Sequence, residues 1–173
     1  QRMAEGQTSK TRFYSRLGIL FQDVDSQLFN STVYDEIAFG PRQLGLTEEE
    51  VSQRVQDTLS LLKIEDLRDR VPYQLSGGEK KKVAFASIMV TNPDVYILDE
   101  PFNNLSKEYE EFFRELLHDL HSAGKTIIMS AHHFKHLHHE KADVLLFEDG
   151  KADFFPAQEV LNNQQVIERL SHY

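Results

Sequence analysis

Val95-Tyr96-Ile97-Leu98-Asp99-Glu100-Pro101 is the stretch that decides the fold class. Four apolar residues, β-branched and aromatic among them, read as a strand buried in a sheet. The run ends in two acids. Just upstream, Asn92-Pro93-Asp94 stops a helix, because the residue before a proline is pushed out of helical geometry. A buried strand that delivers carboxylates at its carboxyl end suits an α/β protein, whose ligands sit beyond the strand ends. An Asp there can hold Mg2+ through its water shell, and the adjacent Glu can polarise an attacking water. Two acids in a solvated turn is the competing reading.

Upstream lies Leu75-Ser76-Gly77-Gly78-Glu79-Lys80-Lys81-Lys82. Ser76 and Glu79 have capping-box spacing, so a helix is expected to start here and run to about Thr91. The two glycines would let an anion approach the backbone where the helix dipole favours it. Phosphate binding and plain helix capping are compatible. Thr47 with Glu50 repeats the capping box, and Val51, Val55, Leu59 and Leu62 form one apolar stripe behind it. Pro41 and Gly45 punctuate the stretch before that helix, and residues 33–39 start a short one. Leu17 to Phe21 reads as a strand ending at Gln22. Downstream, residues 107–122 are amphipathic, 126–129 form a strand ending at Ser130-Ala131-His132, and 144–147 with 152–155 form a hairpin. A last helix is expected after Pro156.

The chain has 173 residues, enough for one ordinary core. Its net charge of −9 argues against a general grip on nucleic acid. No cysteine is present, so disulfides and thiolate metal sites are excluded. No apolar run approaches the ~20 residues of a membrane span. The chain begins with Gln1 rather than Met, and a processed chain or a fragment is expected.

The order of these motifs resembles that of the ATP-binding subunits of ABC transporters. Gln22 matches the Q-loop glutamine, residues 75–79 the LSGGQ signature with Glu79 in place of Gln, and residues 95–101 the Walker B strand with its catalytic glutamate. Phe102 to Ser106 falls at the D-loop, and His132 at the switch histidine. Residues 21–29 and 32–41 are similar to the cobalt and energy-coupling-factor branch, which powers uptake of metal ions or vitamins. The similarity spans about residue 13 to residue 155. It implies a partial RecA-like core, a mainly parallel sheet flanked by helices, with an inserted α-helical subdomain. The implied division is residues 1–40 with the Q-loop, 41–91 helical, 92–155 core, and 156–173 a C-terminal helix.

The resemblance also implies ATP and Mg2+ as ligands, a second ATPase subunit and a transmembrane subunit as partners, and a place on the cytoplasmic face of the cell membrane. Asp99 and Gln22 would serve Mg2+, Glu100 would be the general base and His132 would position the γ-phosphate. Ser76, Gly77, Gly78 and Glu79 would face ATP held by the partner ATPase. The chain departs from the pattern in lacking a Walker A loop. Lys10-Thr11 is a poor substitute, with Ala4 and Ser9 at the required glycine positions. The phosphate loop is therefore expected either upstream of Gln1, the chain being a fragment, or lost in a degenerate copy. Ser106 replaces the D-loop Asp, and Lys80, Lys81 and Lys82 are expected to offset the charge of Glu79. His132, His136 and His139 share one helical face and could bind a transition metal. Phe29, Val33 and Phe39, within residues 23–39, are the candidate contact with a membrane subunit. The alternative function is a non-catalytic module that donates its signature to a complete ATPase.

Overall fold

The computed structural model describes residues 15–132 and 142–171, in two compact units divided after Met129. The first holds a parallel sheet in the order β1 (Leu17–Leu20), β2 (Val95–Leu98) and β3 (Thr126–Met129). Leu20, Leu98 and Met129 stand in one register row. Between β1 and β2 come α1 (Val33–Gln43), α2 (Glu48–Leu61) and α3 (Gly77–Met89); α4 (Lys107–Ser122) links β2 to β3. All three strands, and the helices between them, fall where the hydrophobic pattern predicts.

Helix α1 differs from expectation, because it runs through Pro41 to Gln43 instead of breaking. The residue before Pro41 is Gly40, which has no Cβ to clash with the proline ring. A Cβ there would also come 2.6 Å from Thr91 Cγ2. The helix stops one turn later in a Schellman motif: Gly45 N–H donates to Arg42 C=O at 3.0 Å and Leu46 N–H to Pro41 C=O at 3.3 Å. Both expected capping boxes form, Thr47 with Glu50 and Ser76 with Glu79.

One core joins the sheet to the helices. Val51, Val55, Leu59 and Leu62 are all fully buried, as the stripe predicts. Leu20, Tyr96 and Leu98 bury the inner face of the sheet. On the other face Ile19, Ile97 and Ile128 form a row left 39%, 36% and 53% exposed. Phe85 of α3 sits at the centre, 4.5 Å from the Phe113 ring and 5.9 Å from the Tyr96 ring.

The Tyr96 hydroxyl is buried and has no hydrogen-bond partner among the described residues. Burial pushes its pKa up to about 12. A raised tyrosine pKa means that the neutral phenol is the folded form. Its contribution is complete below pH 10 and is lost as pH climbs toward 12. Tyr96→Phe is expected to leave stability at pH 7 unchanged or raise it by up to about 1 kcal/mol, since it removes an unsatisfied polar group. The loss between pH 10 and 11 should become shallower; Tyr109, also raised by burial, keeps part of it. Urea midpoints at the two pH values check this, and a clear loss at pH 7 would reveal a partner for the hydroxyl.

The second unit contains β4 (Val144–Glu148) antiparallel to β5 (Lys151–Phe155), the expected hairpin. Asp149 and Gly150 form its turn, both at positive φ, as a type I′ turn requires. In place of one C-terminal helix there are two, α5 (Ala157–Asn162) and α6 (Gln164–Leu170). They part at Asn163, whose side chain accepts from Gln165 N–H and so starts a new helix. No described helix is long and apolar enough to cross a membrane.

Candidate functional site

The site is built on the carboxyl ends of β1 and β2. These end level, and Asp99 N–H donates to Leu20 C=O at 2.9 Å. Gln22 and Asp99 therefore emerge at the same sheet edge, both exposed. The chain at Gln22 is steered by Gln27, which acts as a substitute strand on the edge of β1 that no described strand pairs. Its Oε1 accepts from Phe21 N–H at 3.2 Å and its Nε2 donates to Ile19 C=O at 3.1 Å. The loop beyond is pinned by Glu36, a buried carboxylate accepting from Phe29 N–H at 2.9 Å and from Asn30 N–H at 2.8 Å. Neither role is written in sequence spacing, because Glu36 depends on where α1 docks and Gln27 on where β1 does.

Glu100 is only 4% exposed, unlike its neighbour Asp99. Its φ is +48°, the left-handed region that a non-glycine residue adopts at a cost. The turn 100–103 closes through Asn103 N–H to Glu100 C=O at 3.2 Å, and Asn103 Nδ2 donates to the Glu100 carboxylate at 2.9 Å. The solvated-turn reading thus fits Asp99 alone. Ser106, expected at the position of the D-loop Asp, caps α4 by accepting from Tyr109 N–H at 3.3 Å.

The start of α3 lies beside this edge. Glu79 turns back onto Ser76, accepting from its N–H and its hydroxyl, each at 2.7 Å. Those bonds hold the Glu79 carboxyl below its usual pKa, with smaller help from Arg70, 3.6 Å away, and from Lys82. Gly77 and Gly78 face open space: a Cβ on either would meet nothing within 4 Å. Their N–H groups belong to the first turn, where the helix has no carbonyls to offer.

The basic cluster does not act as expected. Lys80 pairs with Asp25 at 2.6 Å, tying α3 to the loop after Gln22. Lys82 lies over the Tyr109 ring at 3.9 Å. Lys81 is buried, its ammonium donating to Glu100 C=O at 3.0 Å and Asn103 C=O at 2.8 Å. Helical rotation sends three successive lysines in three directions, so only Lys82 contributes to the charge around Glu79, and weakly.

Val33, expected on a contact surface, is fully buried; Phe29 and Phe39 are exposed and touch edge to face at 5.1 Å. His132 is exposed, three residues past β3, and falls in the second unit. Its suggested metal companions His136 and His139 lie outside the described residues, as do Lys10 and Thr11. Among the described residues no group of His, Cys, Asp and Glu is placed to hold a metal ion alone.

This sheet, its level acidic edge and a glycine-opened helix beside it are ABC features, and the chain belongs to the ABC transporter family, which it matches over residues 1–103. Among its relatives is the nickel import ATP-binding protein LarO of Lactiplantibacillus plantarum, 50% identical over 127 residues, which cover 73% of this chain and 53% of LarO. The energy-coupling factor transporter ATP-binding protein EcfA of Carboxydothermus hydrogenoformans is 36% identical over 154 residues, 89% of this chain and 57% of EcfA. The solved structure of cbiO1 from Clostridium perfringens, part of the ABC transporter complex cbiONQ, superposes with a TM-score of 0.73 at 32% identity, covering 91% of this chain and 64% of cbiO1. The chain spans about half the length of the curated relatives it matches.

Proposed function

We propose that this chain supplies the signature and Walker B side of an ATP-hydrolysing subunit in an importer of the cobalt, nickel or energy-coupling-factor type. The observation that carries the reading is the junction at one sheet edge, where Asp99 and Glu100 stand level with Gln22 and beside the open start of α3. In this reading residues 41–91 form the helical insertion between core segments 1–40 and 92–155.

Glu100 would act as general base, with Asn103 orienting its carboxylate. Gln22 and Asp99 are exposed oxygen donors, which suits the hard Mg2+ ion of Mg·ATP. That ion would neutralise charge on the phosphates. Gly77 and Gly78 would present N–H groups to a γ-phosphate held by a second ATPase subunit. The Ser76 hydroxyl would exchange its Glu79 acceptor for that phosphate. By resemblance to the family, His132 would be the switch histidine that contacts the γ-phosphate. Exposed Phe29 and Phe39 would meet a transmembrane subunit, placing the chain peripherally at the cytoplasmic membrane face.

The open space at the two glycines gives a clean test. Replacing both by alanine requires no rearrangement within this chain, and should raise its stability by up to about 1 kcal/mol per site. ATP-dependent pairing with a complete ATPase subunit should nevertheless weaken at least about tenfold, as judged by sedimentation with Mg·ATP. Wild-type pairing by the double variant would defeat the signature assignment.

A further inference from the structure

Among the described residues Lys81 is the one buried ammonium, and the proposed chemistry leaves it without a task. Burying a lysine is costly: desolvation lowers its pKa, and the charges of Glu100 and Asp99 only partly oppose this. The side chain is 6% exposed. Its ammonium donates to the carbonyls at both ends of the Glu100–Asn103 turn, at 3.0 and 2.8 Å. That turn holds Glu100 at a φ of +48°. Strained backbone persists only where its surroundings over-determine it. Asn103 restrains the Glu100 side chain, and Lys81 restrains the peptide groups on which both are mounted.

Lys81 also stands about one turn beyond Gly77 and Gly78 on the same rigid helix. A displacement of the α3 start is therefore passed to the Glu100 backbone through two hydrogen bonds. We propose that Lys81 is a positioning residue which fixes the Glu100 turn and couples it to the signature end of α3. This rests on the reading of Glu100 as general base, but the clamp itself is testable without it.

Lys81→Met, which keeps length and loses the ammonium, is the informative variant. In the assembled importer it should lower kcat for ATP hydrolysis at least about tenfold while KM moves less than about threefold. Lys81→Arg, which keeps charged donors, should recover part of kcat. In the chain itself, hydrogen exchange of Lys81→Met should rise at least about tenfold at the amides of Glu100 and of residues 102–104, with α3 keeping its protection. Wild-type kcat, or unchanged exchange in that turn, would overturn the proposal. If protection collapses across the first unit, Lys81→Gln is measured in the same way, and wild-type exchange there overturns it equally. If Glu100→Gln itself leaves turnover unchanged, the hydrolytic reading fails separately, and exchange at those amides alone decides whether Lys81 holds the turn.

Discussion

Glu100→Gln is expected to cut ATP turnover by the assembled complex about 10²- to 10⁴-fold, the range typical of losing a general base. The substitution keeps the volume of the side chain. Asn103 Nδ2 can still donate to the remaining amide oxygen, so the contact seen at 2.9 Å survives. The φ of +48° is set by the turn and the Lys81 bonds, which the variant leaves alone. Stability should therefore stay within about 1 kcal/mol of wild type, and ATP-dependent pairing should persist. Steady-state turnover with a thermal melt as control is the measurement. Unchanged turnover would favour the alternative, a module that lends its signature to a complete ATPase and performs no chemistry.

The second large effect is on stability. Phe85→Ala should cost about 3–5 kcal/mol. Phe85 is fully buried and joins three elements: its own helix α3, strand β2 through Tyr96 and helix α4 through Phe113. Its edge-to-face contact with Phe113 adds an orientation-dependent term of about 0.5–1.5 kcal/mol. Against a total of about 5–15 kcal/mol for a domain, such a loss leaves a large unfolded fraction. The urea midpoint should fall sharply with little change in slope, and Phe85→Leu should lie between. A loss below about 1 kcal/mol would mean that the three rings do not form one cluster. Because Phe85 and Lys81 share α3, the experiment also tests whether the helix presenting the signature is fastened from below.

Much of this was legible in the sequence because it rests on local rules. The strand 95–98 shows as an apolar run stopped by acids, and the Thr47 and Ser76 caps show in three-residue spacings. The Asp149-Gly150 turn shows in its dipeptide. Pro41 misled because one part of the helix-breaking rule, the clash with the preceding residue's Cβ, is absent at Gly40, and the helix ends within a turn of the proline. The lysine cluster misled because three adjacent charges were counted together, whereas α3 aims one at Asp25, one under Glu100 and one at Tyr109. Glu36 and Gln27 gave no local signal: each meets its partners only once α1 or β1 has docked. The buried state of Glu100 beside exposed Asp99 is likewise tertiary, since alternation along the sequence cannot say which acid a turn folds inward.

The outer row of Ile19, Ile97 and Ile128 has a practical bearing on each of these experiments. A parallel sheet ordinarily carries cover on both faces. A half-open row of isoleucines is expected to make the chain, handled by itself, adhere to detergent, plastic or another copy of itself. Excluded salts such as sulfate strengthen that adhesion, whereas nucleotide contacts made through charge weaken with salt. Varying the salt therefore separates adhesion to the sheet from recognition at its edge.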